Sequence, residues 1–462
     1  MAAFASFALA VVNPYFLNVF WQIPDGAQVL AGHIPSSVAY AISSGPLIEQ
    51  EWLFEGILAW FVRHDAYGSF VIVCALAAAA APLLVYAAVR AFGAGDLGAG
   101  VAAFLLIGAR FSASAVRAET FAVDAFALEL YVLASGRRAW LIAPCVALWA
   151  NVHASAVLAP VVAAVFAVAT AFARGGVDAR VRRAALCAVI ALGATFATPF
   201  GVRLWDYAIR LAVAPNPAAA HLDVWRALSF DRAGAVAAVL PGLLVLMTCG
   251  LVLRRRYAAE IAIAALCFGL TVMHVRYEIF LGAGWAPAIA RALERRSALR
   301  TVAARPLLAP AFALAPLALY AAFVAARVAH VSPDPPGPWR AAASIAEDYH
   351  LSGNAYAPYV WAAYLHMRGL PLRLLIDAHG DPYPADVWAD HIALQDLHAN
   401  WRDVLDRRGI GVVVLPVDAP LAQALLLDAA WRRVAVRDGI AAYARTEKGT
   451  TGRSSSATTR SS

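Results

Sequence analysis

The feature that most constrains this chain is a succession of long apolar runs separated by short clusters of arginine. The runs fall at about 1 to 13, 67 to 92, 97 to 109, 121 to 135, 140 to 150, 155 to 173, 184 to 198, 234 to 253, 258 to 274, 278 to 293 and 306 to 328. A helix that crosses a bilayer needs about 20 predominantly apolar residues, so the pattern predicts a mainly α, polytopic transmembrane bundle of about eleven helices. Neighbours such as 140 to 150 and 155 to 173 are expected to be fused or tilted. Composition points the same way. Of 462 residues, 62% are hydrophobic and 15% charged, and the mean hydropathy is +0.66. A water-soluble domain is about a quarter charged, because its surface must stay wet. The chain therefore needs lipid as a second solvent, and neither an ordinary soluble protein nor a disordered or collagen-like one fits.

The formal net charge of +7 comes almost wholly from arginine, since Lys448 is the only lysine. The arginines sit between apolar runs: Arg90; Arg137 and Arg138; Arg174, Arg180, Arg182 and Arg183; Arg254 to Arg256; and Arg291, Arg295, Arg296, Arg300 and Arg305. They occupy every second connection, the positive-inside pattern of a bundle whose amino terminus is cytoplasmic. This basicity reads as topology, and no nucleic-acid partner is expected. The five cysteines, Cys74, Cys145, Cys187, Cys249 and Cys267, all lie in apolar segments without metal-ligand spacing and read as packing residues. The first run, Ala2 to Val12, lacks the basic flank and small-residue cleavage site of a signal peptide.

Three regions follow. Residues 1 to 329 form the bundle, with a long outer loop at 13 to 50. Residues 330 to 446 have soluble composition and read as a small α/β domain on the extracytoplasmic side, and 447 to 462 is a Ser/Thr/Gly-rich, disordered tail. In the α/β domain the pattern predicts helices at Trp339 to Tyr349, Val360 to Met367, Asp386 to Arg407 and Pro420 to Leu427. It predicts strands at Asn354 to Ala357, Leu372 to Asp377 and Gly411 to Pro416, a closing pair over Arg433 to Arg445, and a largely parallel sheet. No Gly-rich phosphate loop is present.

The outer connections carry the candidate chemistry. The first has amphipathic stretches at Asn18 to Leu30 and Glu51 to Phe61, with Trp21, Trp52 and Trp60 suited to an interfacial belt. It also holds Asp25, Glu49, Glu51 and Glu55, carboxylates whose desolvation at the membrane boundary would raise their basicity. Arg117, Arg203 and Arg276 depart from the inner clusters and are candidate ligands for a phosphate, because a guanidinium offers two parallel charge-assisted hydrogen bonds. Arg117 is expected to pair with Asp124, while Glu129 needs a polar neighbour inside the bundle. Asn151 and His153 stand where a helix meets the outer surface, as a helix-to-helix hydrogen bond or as pocket walls. No metal-ligand spacing occurs along the chain, so no metal or other cofactor is assigned.

In order along the chain, these strings resemble those of membrane glycosyltransferases with the GT-C fold, most closely an uncharacterised bacterial branch. They are Asn18-Val-Phe-Trp21-Gln22-Ile-Pro-Asp25-Gly26, Gly32-His-Ile-Pro35, Glu51-Trp-Leu-Phe-Glu55, Arg117, Trp149-Ala-Asn151-Val-His153, Thr198-Pro-Phe-Gly201, Arg276, and Ile376-Asp377 with Trp431 in the terminal domain. The resemblance implies transfer of a sugar from a polyprenyl-phosphate donor, within the bacterial cytoplasmic (inner) membrane, to an acceptor on its outer face. The partners it implies are a polyprenyl-phosphate-linked sugar and membrane lipid. The family's aspartate base aligns with Asn18, a following histidine with Gln22, and a second acidic position with Val38. An amide takes no proton at neutral pH, so Glu51 or Asp25 is expected to replace the base, with Asn18 and Gln22 lining the substrate site. The alternative is a catalytically inactive protein that binds a lipid-linked sugar or assists envelope assembly.

Overall fold

The computed structural model describes residues 18–109, 116–213, 254–294 and 331–446, and the isolated positions 7, 244 and 248. Apart from those isolated positions, the apolar runs at 1 to 13, 234 to 253 and 306 to 328, and the tail at 447 to 462, lie outside the described residues. The chain divides into two compact units. One comprises Met1–Val38, Gly45–Pro335 and His379–Pro384, and the other Ala39–Ser44, Pro336–Ala378 and Ala385–Ser462.

In the first unit the described helices are α1 (Val19–Leu30), α2 (Trp52–Arg63), α3 (Tyr67–Ala91), α4 (Asp96–Ala109), α5 (Ala118–Ser135), α6 (Ile142–Val152), α7 (Leu158–Arg174), α8 (Ala179–Ala194), α9 (Val202–Val213), α10 (Ala258–Met273) and α11 (Glu278–Glu294). Three segments, Tyr67–Ala91, Ala154–Arg174 and Arg255–Met273, are long and apolar enough to cross a membrane. The other apolar runs among the described residues are shorter helices. Helix α8 begins five residues before its apolar run, because Asp178 caps it by accepting the amides of Arg180 and Val181, each at 2.9 Å. Helices α6 and α7 are not fused: His153 is extended, with φ −163° and ψ 136°, and breaks the chain there.

The core is a continuous apolar cluster of alanine, valine, leucine and aromatic side chains from α3 to α11. Phe280 takes Phe126 edge-on at 5.3 Å and meets Trp149 at 6.1 Å. The buried indole of Trp285 donates to the Ala264 carbonyl at 2.6 Å, so its polar atom is satisfied inside the bundle. Glu129 is wholly buried in α5, and neither of its oxygens finds a hydrogen bond among the described residues.

The two ends of this bundle differ chemically. At one end, arginines close on helix-terminal carbonyls: Arg180 on Ala134 at 2.7 Å, Arg183 on Gly136, Arg255 on Phe172 at 2.5 Å, and Arg291 on Phe92 and on Gly93 at 2.6 Å. Cations there complement the negative ends of the helix dipoles. At the other end, Trp52 Nε1 donates to Asn151 Oδ1 at 3.1 Å, the Ala154 amide to Gln50 at 2.6 Å, and Asn151 Nδ2 to the Ala197 carbonyl at 2.6 Å. That polar end carries the candidate residues.

The second unit contains α12 (Pro338–Asp348), β1 (Gly353–Tyr356), α13 (Tyr359–Met367), β2 (Leu372–Leu374), α14 (Ala385–Gln395), α15 (Trp401–Arg407), β3 (Val412–Pro416), α16 (Pro420–Leu426), β4 (Trp431–Arg437) and β5 (Ile440–Arg445). Its sheet runs β2-β1-β3-β5-β4, parallel over β2-β1-β3 and antiparallel over β3-β5-β4. The expected largely parallel sheet is therefore a mixed one, since the closing hairpin turns β5 against β3. The helix expected over Asp386 to Arg407 is two helices, split where Leu397 takes a positive φ of 54°. Asp438 and Gly439 form the hairpin turn with φ of 49° and 75°, the left-handed pair that matches strand twist. Gly439→Ala should destabilise this unit by about 1 to 2 kcal/mol, read as a lowered midpoint in denaturant.

Candidate functional site

At the polar end of the bundle two groups of buried side chains meet, and each contains one histidine. In the first, Glu51 ends the outer loop just before α2 and is 3% exposed. Its Oε2 accepts from Gln22 Nε2 of α1 at 2.8 Å, and its Oε1 from Gln50 Nε2 at 2.9 Å. Glu119 opens α5, where the helix dipole favours a carboxylate, and is gripped by two arginines. Arg117 meets it through Nη2 at 2.7 Å and Nε at 3.3 Å, and Arg276 through Nη2 at 3.4 Å. Arg117 thus pairs with Glu119, because the extended backbone at Arg117 lets the guanidinium fold onto the first turn.

His153 completes this group, with ligand-capable atoms of Glu51, Glu119 and His153 all within 4.8 Å of one another. Its Nδ1 accepts from the Ser155 amide at 3.1 Å and lies 2.7 Å from Ser155 Oγ, which itself receives Trp149 Nε1 at 3.0 Å. Burial pushes the ring down to about 4, so it is neutral. These bonds assign the proton to Nε2. That nitrogen is buried, 3.8 Å from Glu51 and without a hydrogen bond. It is a donor waiting for an acceptor.

In the second group Asp25 of α1, 4% exposed, bonds His379 Nε2 through Oδ2 at 2.9 Å and takes Gln28 Nε2 on Oδ1 at 3.2 Å. Glu49 joins them, again with ligand-capable atoms within 4.8 Å. Trp21 covers the His379 ring at 4.3 Å between centroids. Both groups are rich in carboxylates, and it shows in their acidity. Burial, aided by the Asp25 charge, pushes Glu49 up to about 7. Burial, aided by the Glu119 charge, pushes Glu51 up to about 8.

The expected site residues divide accordingly. Glu51, Gln22, His153, Arg117 and Arg276 come together in the first group, and Asp25 stands in the second. Asn151 lies beside the first group, but its amide is committed to Trp52, Ala147 and Ala197. Asn18 is half-buried at the start of α1, where its carbonyl accepts from Trp21 and Gln22. Arg203 is exposed in the first turn of α9, and no described contact joins it to the other two arginines. Glu119 and His379 hold places that spacing along the chain did not assign, whereas Glu49 was among the loop carboxylates expected to gain basicity. The signal for His379 is the polar string Asp377 to Asp381 directly after the buried strand β2.

Searches of solved structures find this same architecture. The fold is oligosaccharyltransferase-like. The Archaeoglobus fulgidus oligosaccharyltransferase in its apo form superposes with a TM-score of 0.56 at 13% identity, covering 97% of this chain and 74% of that one. Its complex with zinc and sulfate gives 0.55 at 13% identity, covering 90% and 68%. This is the GT-C fold expected from the sequence. No protein-family profile and no curated protein matches the chain. This fold, with three helices long and apolar enough to cross a bilayer, suggests a membrane protein.

Proposed function

We propose that the chain is a GT-C-type membrane glycosyltransferase that takes a sugar from a polyprenyl-phosphate donor and passes it to a hydroxyl acceptor on the extracytoplasmic face of a bacterial inner membrane. The observation that carries this reading is the convergence of Arg117, Arg276 and the unbonded His153 Nε2 beside Glu51. It lies at the bundle end opposite the arginine clusters, which by the positive-inside rule is the outer end. One of the similar structures holds sulfate, a tetrahedral oxyanion like phosphate.

In the step, the acceptor oxygen forms a bond to the anomeric carbon while the bond from that carbon to the lipid phosphate breaks. The acceptor proton passes to Glu51 Oε1 or Oε2. The departing phosphate gains charge as it leaves, and the two guanidiniums and the His153 Nε2 proton are placed to stabilise it, the largest usual contribution to such a step. Glu119 holds both arginines in position before the donor arrives.

Purified protein in lipid nanodiscs, titrated with polyprenyl phosphate, tests this. Arg117→Gln and Arg276→Gln should each weaken binding about 10- to 100-fold, the worth of one lost charge-assisted hydrogen bond. Glu51→Gln should leave binding unchanged and abolish sugar transfer. Unchanged affinity in both arginine variants overturns the assignment. Donor binding by the wild type with no transfer to any acceptor would favour the inactive binder, a reading supported by Asn18 and the buried Val38 at the expected acidic positions.

A further inference from the structure

The arginine end of the bundle, opposite the proposed transfer site, carries a cleft of its own between α3 and α5. Tyr86 and Arg90 of α3 line one wall, and Tyr131, Ser135 and Arg137 from the end of α5 line the other. Its volume is about 450 Å³, inside the range of roughly 300 to 1,000 Å³ usual for small-molecule sites. Both arginines are exposed and both tyrosines half-buried. Helix α3 is one of the segments able to cross a membrane, and Tyr86 and Arg90 stand in its last two turns. That is the headgroup level, where aromatic rings and long cationic side chains rest an apolar body in lipid and a polar tip in water. Arg137 follows directly after Gly136, whose φ of 62° ends α5.

The two arginines are not equivalent. Arg90 Nε meets Asp96 Oδ1 at 3.0 Å, and the Tyr86 hydroxyl donates to the same oxygen at 2.6 Å, so the charge of Arg90 is offset and its position held. The Arg137 amide bonds Ser135 Oγ at 3.2 Å, which fixes the turn. Its guanidinium makes no hydrogen bond or ion pair among the described residues, and neither does the Tyr131 hydroxyl. One uncompensated cation and one free phenol therefore face the cleft. Two apolar strips lead into it. On α3 the exposed positions Leu76, Leu83 and Arg90 recur every seven residues and so share a face. On α5 the half-buried Leu128, Tyr131 and Ser135 recur at three and four.

We infer that this cleft binds one anionic glycerophospholipid of the inner leaflet, its phosphate on Arg137 and Tyr131 and one acyl chain along each strip. A guanidinium offers a phosphate two parallel charge-assisted hydrogen bonds, and a basic pocket between helices at the cytoplasmic surface suits an anionic headgroup. The single negative charge of such a phosphate matches the single charge that Arg137 leaves unpaired. A zwitterionic lipid brings an ammonium of its own against two guanidiniums, and a polyprenyl phosphate has one chain for two strips. The leaflet follows from the same positive-inside assignment as the proposed function, whereas the cleft and its ligand do not depend on it.

The test uses the full-length protein, stripped of lipid in an uncharged detergent, with bound lipid counted by native mass spectrometry. Phosphatidylglycerol and phosphatidylcholine with the same chains are titrated separately. One phosphatidylglycerol per chain should bind, about 10-fold or more tighter than phosphatidylcholine, since each arginine near a headgroup is worth about a factor of five. Arg137→Gln should weaken it about 10-fold and Tyr131→Phe about 3-fold, the worth of one charge-assisted and one neutral hydrogen bond. Arg138→Gln removes the same charge from the neighbouring residue, which does not line the cleft, and should change binding less than about 2-fold. Arg137 has no side-chain partner to lose, so the lipid-free melting temperature of its variant should equal that of the wild type. Equal losses in Arg137→Gln and Arg138→Gln would show diffuse attraction to the basic end and overturn the site. So would binding of phosphatidylcholine as tight as that of phosphatidylglycerol, or displacement of phosphatidylglycerol by equimolar polyprenyl phosphate. Sugar transfer is not measured, so failure here leaves the transfer reading as it stands.

Discussion

Glu119→Ala should lower the stability of the bundle by about 3 to 5 kcal/mol, the usual consequence of removing one partner from a buried ion pair and leaving the other charged. Glu119 has 4% of its side chain exposed and faces two guanidiniums that retain 17% and 26%. Their partial access to water places the expected value at the lower end of that range. Glu119→Gln keeps the shape and one acceptor oxygen and should cost about half as much. Denaturant unfolding in micelles, followed by the fluorescence of Trp52 and Trp149, measures both. The same variant reports on function. If the arginines form an oxyanion site that Glu119 occupies in the absence of donor, added inorganic phosphate should raise the melting temperature of Glu119→Ala more than that of the wild type. Binding to the folded state alone stabilises it by mass action. A loss below 1 kcal/mol, or equal phosphate effects on the two proteins, would show that the three groups do not act together.

Much of the fold is written in local pattern. Each apolar run among the described residues became a helix, because a lipid-facing or bundle-core helix must be apolar along its whole length and nothing else in such a chain is. The strands of the second unit were equally legible, since Val412 to Leu415 can only be a buried strand and Asp438-Gly439 can only be a turn. The break in the helix after Gln395 was not legible: Leu397 carries no marker for a positive φ, and tertiary packing decides it. Arg117, Arg276, Glu51 and His153 were found as chemical types on the same side of the bundle. Their grouping could not be read, because it depends on which helix ends adjoin. Glu119 was not picked out, because its contact with Arg276 joins positions 157 apart. The group of Asp25, Glu49 and His379 was the least visible. Asp25 and His379 are 354 positions apart, so no spacing rule joins them.

That both groups exist side by side has a simple electrostatic reason. A phosphate leaving group needs positive charge close by, and a base must keep a raised proton affinity beside that charge. Placing Arg117 and Arg276 on Glu119 and leaving Glu51 to the amides of Gln22 and Gln50 keeps these functions separate within a few ångströms. Helix α1 supplies a residue to each group, Gln22 to the first and Asp25 to the second, three positions apart and so on neighbouring parts of one face. The placement of α1 therefore controls both.

Gly26→Ala should disturb both groups at once and destabilise the first unit by about 3 kcal/mol. A methyl at Gly26 would sit 2.0 Å from the Glu55 carbonyl oxygen and 2.9 Å from the Ala59 methyl. Backbone cannot rotate away as a side chain can, so α1 and α2 must separate by about 1 Å to restore contact distance, and overpacking of this kind costs about 1 to 3 kcal/mol, sometimes more. Helix propensity acts in the opposite direction, since alanine in place of a mid-helix glycine gains about 1 kcal/mol. The sign of the measured change therefore decides whether the close approach of the two helices is real. Gly56→Ala is the matched control. Its new methyl would meet only the Val29 side chain, Cγ1 at 3.0 Å and Cβ at 3.7 Å, which can give by a few tenths of an ångström, so its cost should stay below about 1 kcal/mol. Because Gln22 and Glu51 are held at 2.8 Å across this contact, Gly26→Ala should also weaken polyprenyl phosphate binding. A Gly26→Ala protein as stable as the wild type, with its affinity for polyprenyl phosphate intact, would mean that α1 does not govern the site.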